Sequence, residues 1–275
     1  MSFIAIIGSG ALGGAVAHKL AGRDRVREVR LIDLDEKVAQ GKALDIRQAG
    51  PVEGFSTHVT AAGSLAAAAG ADAIVVADHA NGQGEHTGEA GLALLRQLAA
   101  LESSAPIVCA GAMQRDLIAR AVTELHLAPR RIVGSAPLAL ESALRALAGL
   151  IMDVSGVEIS LRVMGVPPRA AVAAWEEASV FGQPLTSHVA PHELAALTAR
   201  IPGLWPPGPY ALASAASRVA EALARGSRRR FSCFVTVSRG CVAAMPVELG
   251  QDGIVRIIEP ALTRQERTLF ENAIG

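Results

Sequence analysis

The sequence predicts an α/β protein: a doubly wound, mostly parallel sheet followed by a smaller α+β lobe. Three observations carry that expectation. Over the first half, short apolar runs bounded by Gly, Asp or Pro alternate with longer segments of helical period. A glycine turn, Gly8-Ser-Gly10-Ala-Leu-Gly13, joins the first apolar run to the first helical segment. After about residue 153 the pattern changes to alternating strands joined by tight turns.

The strands expected in the first half are residues 4–7, 29–33, 73–77, 107–110 and 132–134. Each is brief and almost wholly apolar, as strands covered on both faces are. Between them, residues 12–21, 36–48, 89–102 and 113–126 carry apolar side chains at helical spacing. In the second half, residues 157–164 read as a strand and residues 191–200 and 210–225 as helices. Residues 231–237 and 242–249 alternate like an antiparallel hairpin turned at Ser238, Arg239 and Gly240. Residues 250–253 then turn the chain into a strand at 254–258. Thr263 with Glu266 forms a capping box opening a last helix to about residue 273. Residues 202–209, PGLWPPGP, are a Pro-rich loop too short to separate domains.

Composition narrows the function classes. At 275 residues the chain suffices for one large or two modest domains. Aromatics are 3% against 51% hydrophobic, so the core is built from Ala, Val, Leu and Ile. Lys+Arg and Asp+Glu balance at 26 each, so no basic surplus calls for nucleic acid. Arg228, Arg229 and Arg230 read as the solvated end of an element. Cys109, Cys233 and Cys241 are odd in number and include no CxxC, which fits a reducing cytoplasm and no metal site. Asp72 splits the longest Ala-rich stretch, so no membrane span is expected. The apolar first 20 residues lack a basic start and carry four glycines in turn-like spacing, which reads as strand and turn and not as a signal peptide.

The glycine turn carries the cofactor expectation. Gly8 permits the tight turn, Gly10 lets the backbone approach a pyrophosphate, and Gly13 lets helix and strand pack closely. The phosphate then meets free N–H groups at a helix N-terminus. Asp33 ends the second strand, where its carboxylate can accept from ribose hydroxyls and repel a 2′-phosphate. NAD is therefore favoured over NADP. The bland alternative is a Gly-rich turn in a Rossmann-type domain that binds nothing.

On these and further residues the sequence resembles the malate/lactate dehydrogenase family. The matching stretches are IDLDEKVAQGKALDIRQAGPVEGF (32–55), RIVGSAPLALESALR (131–145), VFGQPL (180–185), ASAAS (213–217) and the C-terminal hairpin. They span nearly the whole chain, although it is trimmed near residues 202–209. The resemblance implies a Rossmann-type doubly wound parallel sheet over residues 1–140, binding NAD, followed by an α+β malate/lactate dehydrogenase-like C-terminal domain over 141–275. It places cofactor contacts at Gly8, Gly10, Ala11, Leu12, Gly13, Asp33 and Ala77. It also implies a small-molecule substrate and a homo-oligomer, dimer or tetramer, in the cytoplasm.

The family's catalytic set is a histidine that exchanges a proton with the substrate hydroxyl, an aspartate that orients it, and arginines that grip the substrate. Here the Gly-Gly-His-Gly-Asp run falls on Gly165-Val-Pro167-Pro168-Arg169, with Pro167 at the histidine position. The mobile loop, 78–89, reads DHANGQGEHTGE and holds no arginine; Asn81 and Thr87 stand in those places. The helix motif Leu-Asp-Ser-Ala-Arg reads Leu140-Glu141-Ser142-Ala143-Leu144, and the Asn-Pro after the fifth strand reads Ala110-Gly111. No residue is thus expected to be catalytic in the usual positions, and malate or lactate oxidation is not expected. Three alternatives remain open: an NAD-binding scaffold without catalysis, an NAD-linked oxidoreductase acting on a CH–OH group of another substrate through loop 78–89, or a fold that no longer binds nucleotide. For the second, His86 is the candidate acid–base and Glu89 its orienting partner. Otherwise that loop is polar, Gly-rich surface. His18, His58, His126, His188 and His192 have no motif around them.

Overall fold

A computed structural model describes residues 2–274 except Gln83, Glu102 and Arg239. The first half contains β1 (Phe3–Ile7), α1 (Ala11–Arg23), β2 (Glu28–Ile32), α2 (Glu36–Glu53), β3 (His58–Ala62), β4 (Ala73–Val76), α3 (Gly88–Ala99), β5 (Ile107–Cys109), α4 (Arg115–Thr123), β6 (Ile132–Gly134) and α5 (Ala136–Met152). The six strands are parallel in the order β3-β2-β1-β4-β5-β6. The chain reverses its direction of winding between β1 and β4. The crevice at the C-terminal ends of those two strands is where such sheets take ligands.

The second half adds β7 (Ile159–Ser160), β8 (Val163–Val166), β9 (Ala170–Ala173), β10 (Ser179–Val180), β11 (Gln183–Pro184), α6 (Pro191–Arg200), α7 (Pro209–Ala224), β12 (Arg230–Ser238), β13 (Cys241–Gly250), β14 (Gly253–Ile257) and α8 (Arg264–Ile274). Phe234 of β12 pairs antiparallel with Gly134 of β6, and β13, β8 and β9 follow outward. Both halves therefore share one sheet. The boundary expected at residues 140 and 141 falls inside α5, which runs unbroken across it.

The expected elements appear within a few residues, and several unexpected ones join them, among them β3, α5 and β9–β11. β3 was not anticipated, because HVTAA is half exposed and owes its shape to its parallel register with β2. The strand expected over 157–164 breaks into β7 and β8, since Val163 N–H leaves the ladder for Ser232 Oγ at 3.2 Å. The helix expected over 113–126 starts only at Arg115, after a turn closed by Gly111 N–H donating to the Gln114 side chain at 2.8 Å. Of the hairpin turn, Arg239 lies outside the described residues. The capping box of α8 is present: Glu266 N–H donates to Thr263 Oγ1 at 3.2 Å and Thr263 N–H to the Glu266 carboxylate at 2.8 Å.

Phe234 sits at the joint between the halves. It is 1% exposed and meets the Trp205 ring edge-on at 5.8 Å. Truncating so large a buried side chain removes its transfer free energy and leaves a cavity. Phe234→Ala is expected to cost about 3–5 kcal/mol of unfolding free energy, measured by urea denaturation; a loss near zero would mean the two halves do not share a core.

Candidate cofactor site

The glycine turn leaves β1 with Gly8 at φ +98°, a conformation that favours glycine. A Cβ on Gly13 would collide with the Gly8 carbonyl, so Gly13 does allow the close helix–strand packing expected of it. Leu12 is buried and Ala11 exposed at the start of α1. Lys42 Nζ, from α2, donates to the Gly10 carbonyl at 2.5 Å.

The N-terminus of α1 has a partner from the chain itself. Leu12 N–H donates to Asp78 Oδ2 at 3.0 Å, and Gly13 N–H donates to Asp78 Oδ1 at 2.8 Å. A Cβ on Gly10 would run into that same carboxylate and the His79 carbonyl. The close approach expected of a pyrophosphate is thus made by Asp78, the second residue after β4.

Asp33, just past β2, is also engaged. Its Oδ2 accepts from Ser9 N–H at 2.8 Å and Ala80 N–H at 3.1 Å, and its Oδ1 from Asp35 N–H at 3.0 Å. A carboxylate offers about four lone-pair sites, so room for one more donor remains. Beside it lies a cavity of about 460 Å³ lined by Ile7, Ile32, Leu34, Leu65, Leu94 and His86, among others. That size and apolar lining suit a small-molecule site. The α1 amides that a pyrophosphate would use are already occupied by Asp78.

Loop 78–89 is tied down at some points, while residues 81, 82, 84 and 87–89 are exposed. His79 N–H donates to the Gly84 carbonyl at 3.0 Å, and Asp78 and Glu85 face each other as an antiparallel bridge. Glu85 accepts from Ala112 N–H at 2.9 Å and Met113 N–H at 2.8 Å, in the turn before α4. Gly111 makes room for it, since a Cβ there would overlap the Glu85 carboxylate. Burial raises the Glu85 pKa, and the two amides oppose that shift. Ala77 is buried, and its carbonyl accepts from His86 N–H at 3.2 Å and from the Gln114 side chain at 3.3 Å.

The expected His86–Glu89 pair does not form. His86 is 9% exposed, its ring lies 3.8 Å from the His79 ring at a tilt of 51°, and its Nε2 has no hydrogen-bond partner. Burial, then the neighbouring His79, pushes its pKa down to about 4, so it is neutral at physiological pH. Glu89 lies in the first turn of α3, 86% exposed, and accepts from Arg120 at 2.7 Å. Asn81 and Thr87 are exposed.

In the second half, Pro167 is buried in the turn just past β8, where the β8–β9 hairpin pairs Val166 with Ala170. Arg169 is exposed. Glu141 is 1% exposed; Oε1 accepts from Arg162 at 3.2 Å and Oε2 from Ser232 Oγ at 2.6 Å. Burial raises its pKa, against the pull of Arg162. Leu144 is fully buried with Leu140, Ile159, Leu161 and Val163 in a second apolar cluster. A more open cavity of about 540 Å³ lies beside Glu141, walled by Arg145, Arg162, Arg218, Arg230 and Tyr210. No linear spacing signals it, because its walls come from four separate segments. Burial raises the Cys109 pKa to about 12 and the Cys233 pKa also, so neither thiol ionises at neutral pH. Among the described residues, no helix is long and apolar enough to cross a membrane, and no group of three or more His, Cys, Asp or Glu could hold a metal.

Comparison with known proteins agrees with this architecture. Residues 3–101 match the family described as lactate/malate dehydrogenase, NAD binding domain. A malate dehydrogenase of Thermomicrobium roseum is 28% identical over 294 aligned residues, covering 98% of this chain and 94% of that protein. The lactate dehydrogenase of Cryptosporidium parvum, solved with lactic acid and nicotinamide adenine dinucleotide, superposes with a TM-score of 0.86 at 22% identity, covering 99% of this chain and 94% of the other. The malate dehydrogenase of Aeropyrum pernix gives 0.86 at 22%, covering 98% and 94%. The fold is the one these dehydrogenase structures share, and residues 3–101 are similar to the family's NAD-binding domain.

The lowered pKa of His86 has a consequence for stability. The unfolded chain takes up a proton near the free histidine pKa of about 6.5, and the folded chain only near 4. Between those values the unfolded state binds more protons, so stability falls as pH falls. His86→Gln is expected to remove up to about 3 kcal/mol of that acid sensitivity, seen as a flatter dependence of unfolding free energy between about pH 6.5 and 4. Parallel curves for both proteins would show that His86 is not buried.

Proposed function

We propose that the chain is an NAD-binding protein of this family that does not carry the ordinary malate or lactate chemistry. One observation supports this most directly: the buried Pro167 in the β8–β9 hairpin, where the resemblance places the family's acid–base histidine. Neither Pro167 nor Pro168 can exchange a proton. Around it the other roles are vacant too. Glu141 is held by Arg162 and Ser232, and Leu144 belongs to an apolar cluster where an arginine would be buried without a partner. A positioned acid–base is worth about 10²–10⁴ in rate, and each further lost contact adds to the barrier at about 1.4 kcal/mol per tenfold.

Loop 78–89 offers no replacement relay in this arrangement, since Glu89 is turned to Arg120 and His86 to His79. We infer a binding role, with Asp33 and the adjoining cavity giving NADH preference over NADPH. Cytoplasmic location and a dimer or tetramer are part of the same proposal, resting on the resemblance.

Two experiments check it. Malate, lactate, oxaloacetate and pyruvate with NAD or NADH are expected to give no turnover above background, and Pro167→His alone should not restore it, because groups that act as a unit recover little singly. Robust malate oxidation by the unmodified protein would overturn the proposal. Nucleotide titration followed by fluorescence is expected to show tighter binding of NADH than of NADPH, and Asp33→Ala should weaken NADH and narrow the gap; an unchanged gap would place the ribose away from Asp33.

A further inference from the structure

We propose that Asp78 is a resident competitor for the cofactor's pyrophosphate and sets how tightly this site takes a dinucleotide. The inference rests on the NAD-binding proposal above and deepens it. A free N-terminus of α1 would offer the Leu12 and Gly13 amides and the positive end of the helix dipole to an anion. Here both amides donate to one carboxylate, 65 and 66 residues away in sequence. Gly10 supplies the space: the volume a Cβ would fill holds the Asp78 carboxylate. Phosphate oxygens and carboxylate oxygens need the same donors, so the two anions exclude one another.

Asp78 does not act alone. It opens a hairpin whose other end, Glu85, sits on the Ala112 and Met113 amides, again in a space left by a glycine, Gly111. Between them Ala80 N–H donates to Asp33 Oδ2, on the carboxylate expected to face a ribose. The hairpin is therefore fastened at three points along the crevice between β1, β4 and β5. A dinucleotide enters by displacing at least the Asp78 contact, and its apparent affinity is reduced by the fraction of molecules in which that contact is broken. A ligand with no phosphate, such as adenosine, uses the cavity beside Asp33 and leaves Asp78 in place.

The test compares unmodified protein with Asp78→Ala and the isosteric Asp78→Asn, each shown to be folded by circular dichroism. NADH binding, followed by fluorescence, is expected to tighten by about tenfold or more in both variants, the factor one charge-assisted hydrogen bond is worth. Adenosine binding, followed calorimetrically, should change by less than about threefold, since it makes no use of these amides. Inorganic pyrophosphate should raise the melting temperature of Asp78→Ala and leave that of the unmodified protein unchanged. If NADH binds the variants no more tightly than the unmodified protein, Asp78 is only a helix cap and the inference fails while NAD binding stands. If folded variants bind neither NADH nor adenosine, NAD binding and the inference fail together.

Discussion

The C-terminal edge of the parallel sheet depends on carboxylates seated on backbone amides. Asp33 and Asp78 lie just beyond the ends of β2 and β4, Glu85 lies in the loop that follows β4, and each accepts two or three backbone N–H groups, at least two of them from other segments. The Leu12 and Gly13 amides, in the first turn of α1, have no partner within that helix. In an enzyme crevice they face water or a ligand. Here the chain satisfies them with its own negative charge, which is stabilising at a helix N-terminus by about 0.3–1 kcal/mol and up to about 2 in partly buried geometry. The order of loop 78–89, the burial of His86 and the shape of the adjoining cavity all follow from that fastening.

The second half differs in kind. The positions where the resemblance places catalytic groups are apolar or already paired: Pro167 in the β8–β9 turn, Leu144 in a cluster, Glu141 between Arg162 and Ser232. A buried carboxylate whose two oxygens are satisfied fixes the packing of α5 against β12, since removing either partner would leave a charge uncompensated. That is a structural task, and it uses the position where the resemblance places an orienting aspartate.

Much of this was legible in the sequence. The alternation of apolar runs and helical segments gave the strand order its raw material, and Thr263 with Glu266 announced the last helix. Gly8, Gly10 and Gly13 announced the turn. What occupies the space at Gly10 was not legible, because a glycine signals close approach without naming the visitor. Asp78 lies 68 residues beyond Gly10, and only the parallel pairing of β1 with β4 brings them together. The spacing of His86 and Glu89 suggested a pair, but α3 begins at Gly88 and its first turn carries Glu89 toward Arg120. β3 escaped notice because its strand character comes from its neighbour β2 and not from its own five residues.

The central claim is that the chain's own carboxylates occupy the amides at the α1 N-terminus and in the turn before α4 when no nucleotide is present. Amide hydrogen exchange of the nucleotide-free protein, resolved residue by residue by NMR, tests it directly. Leu12, Gly13, Ala112 and Met113 are expected to exchange slowly, as amides held in hydrogen bonds do. Exchange of Leu12 and Gly13 at the rate of open, solvated helix ends would contradict the claim.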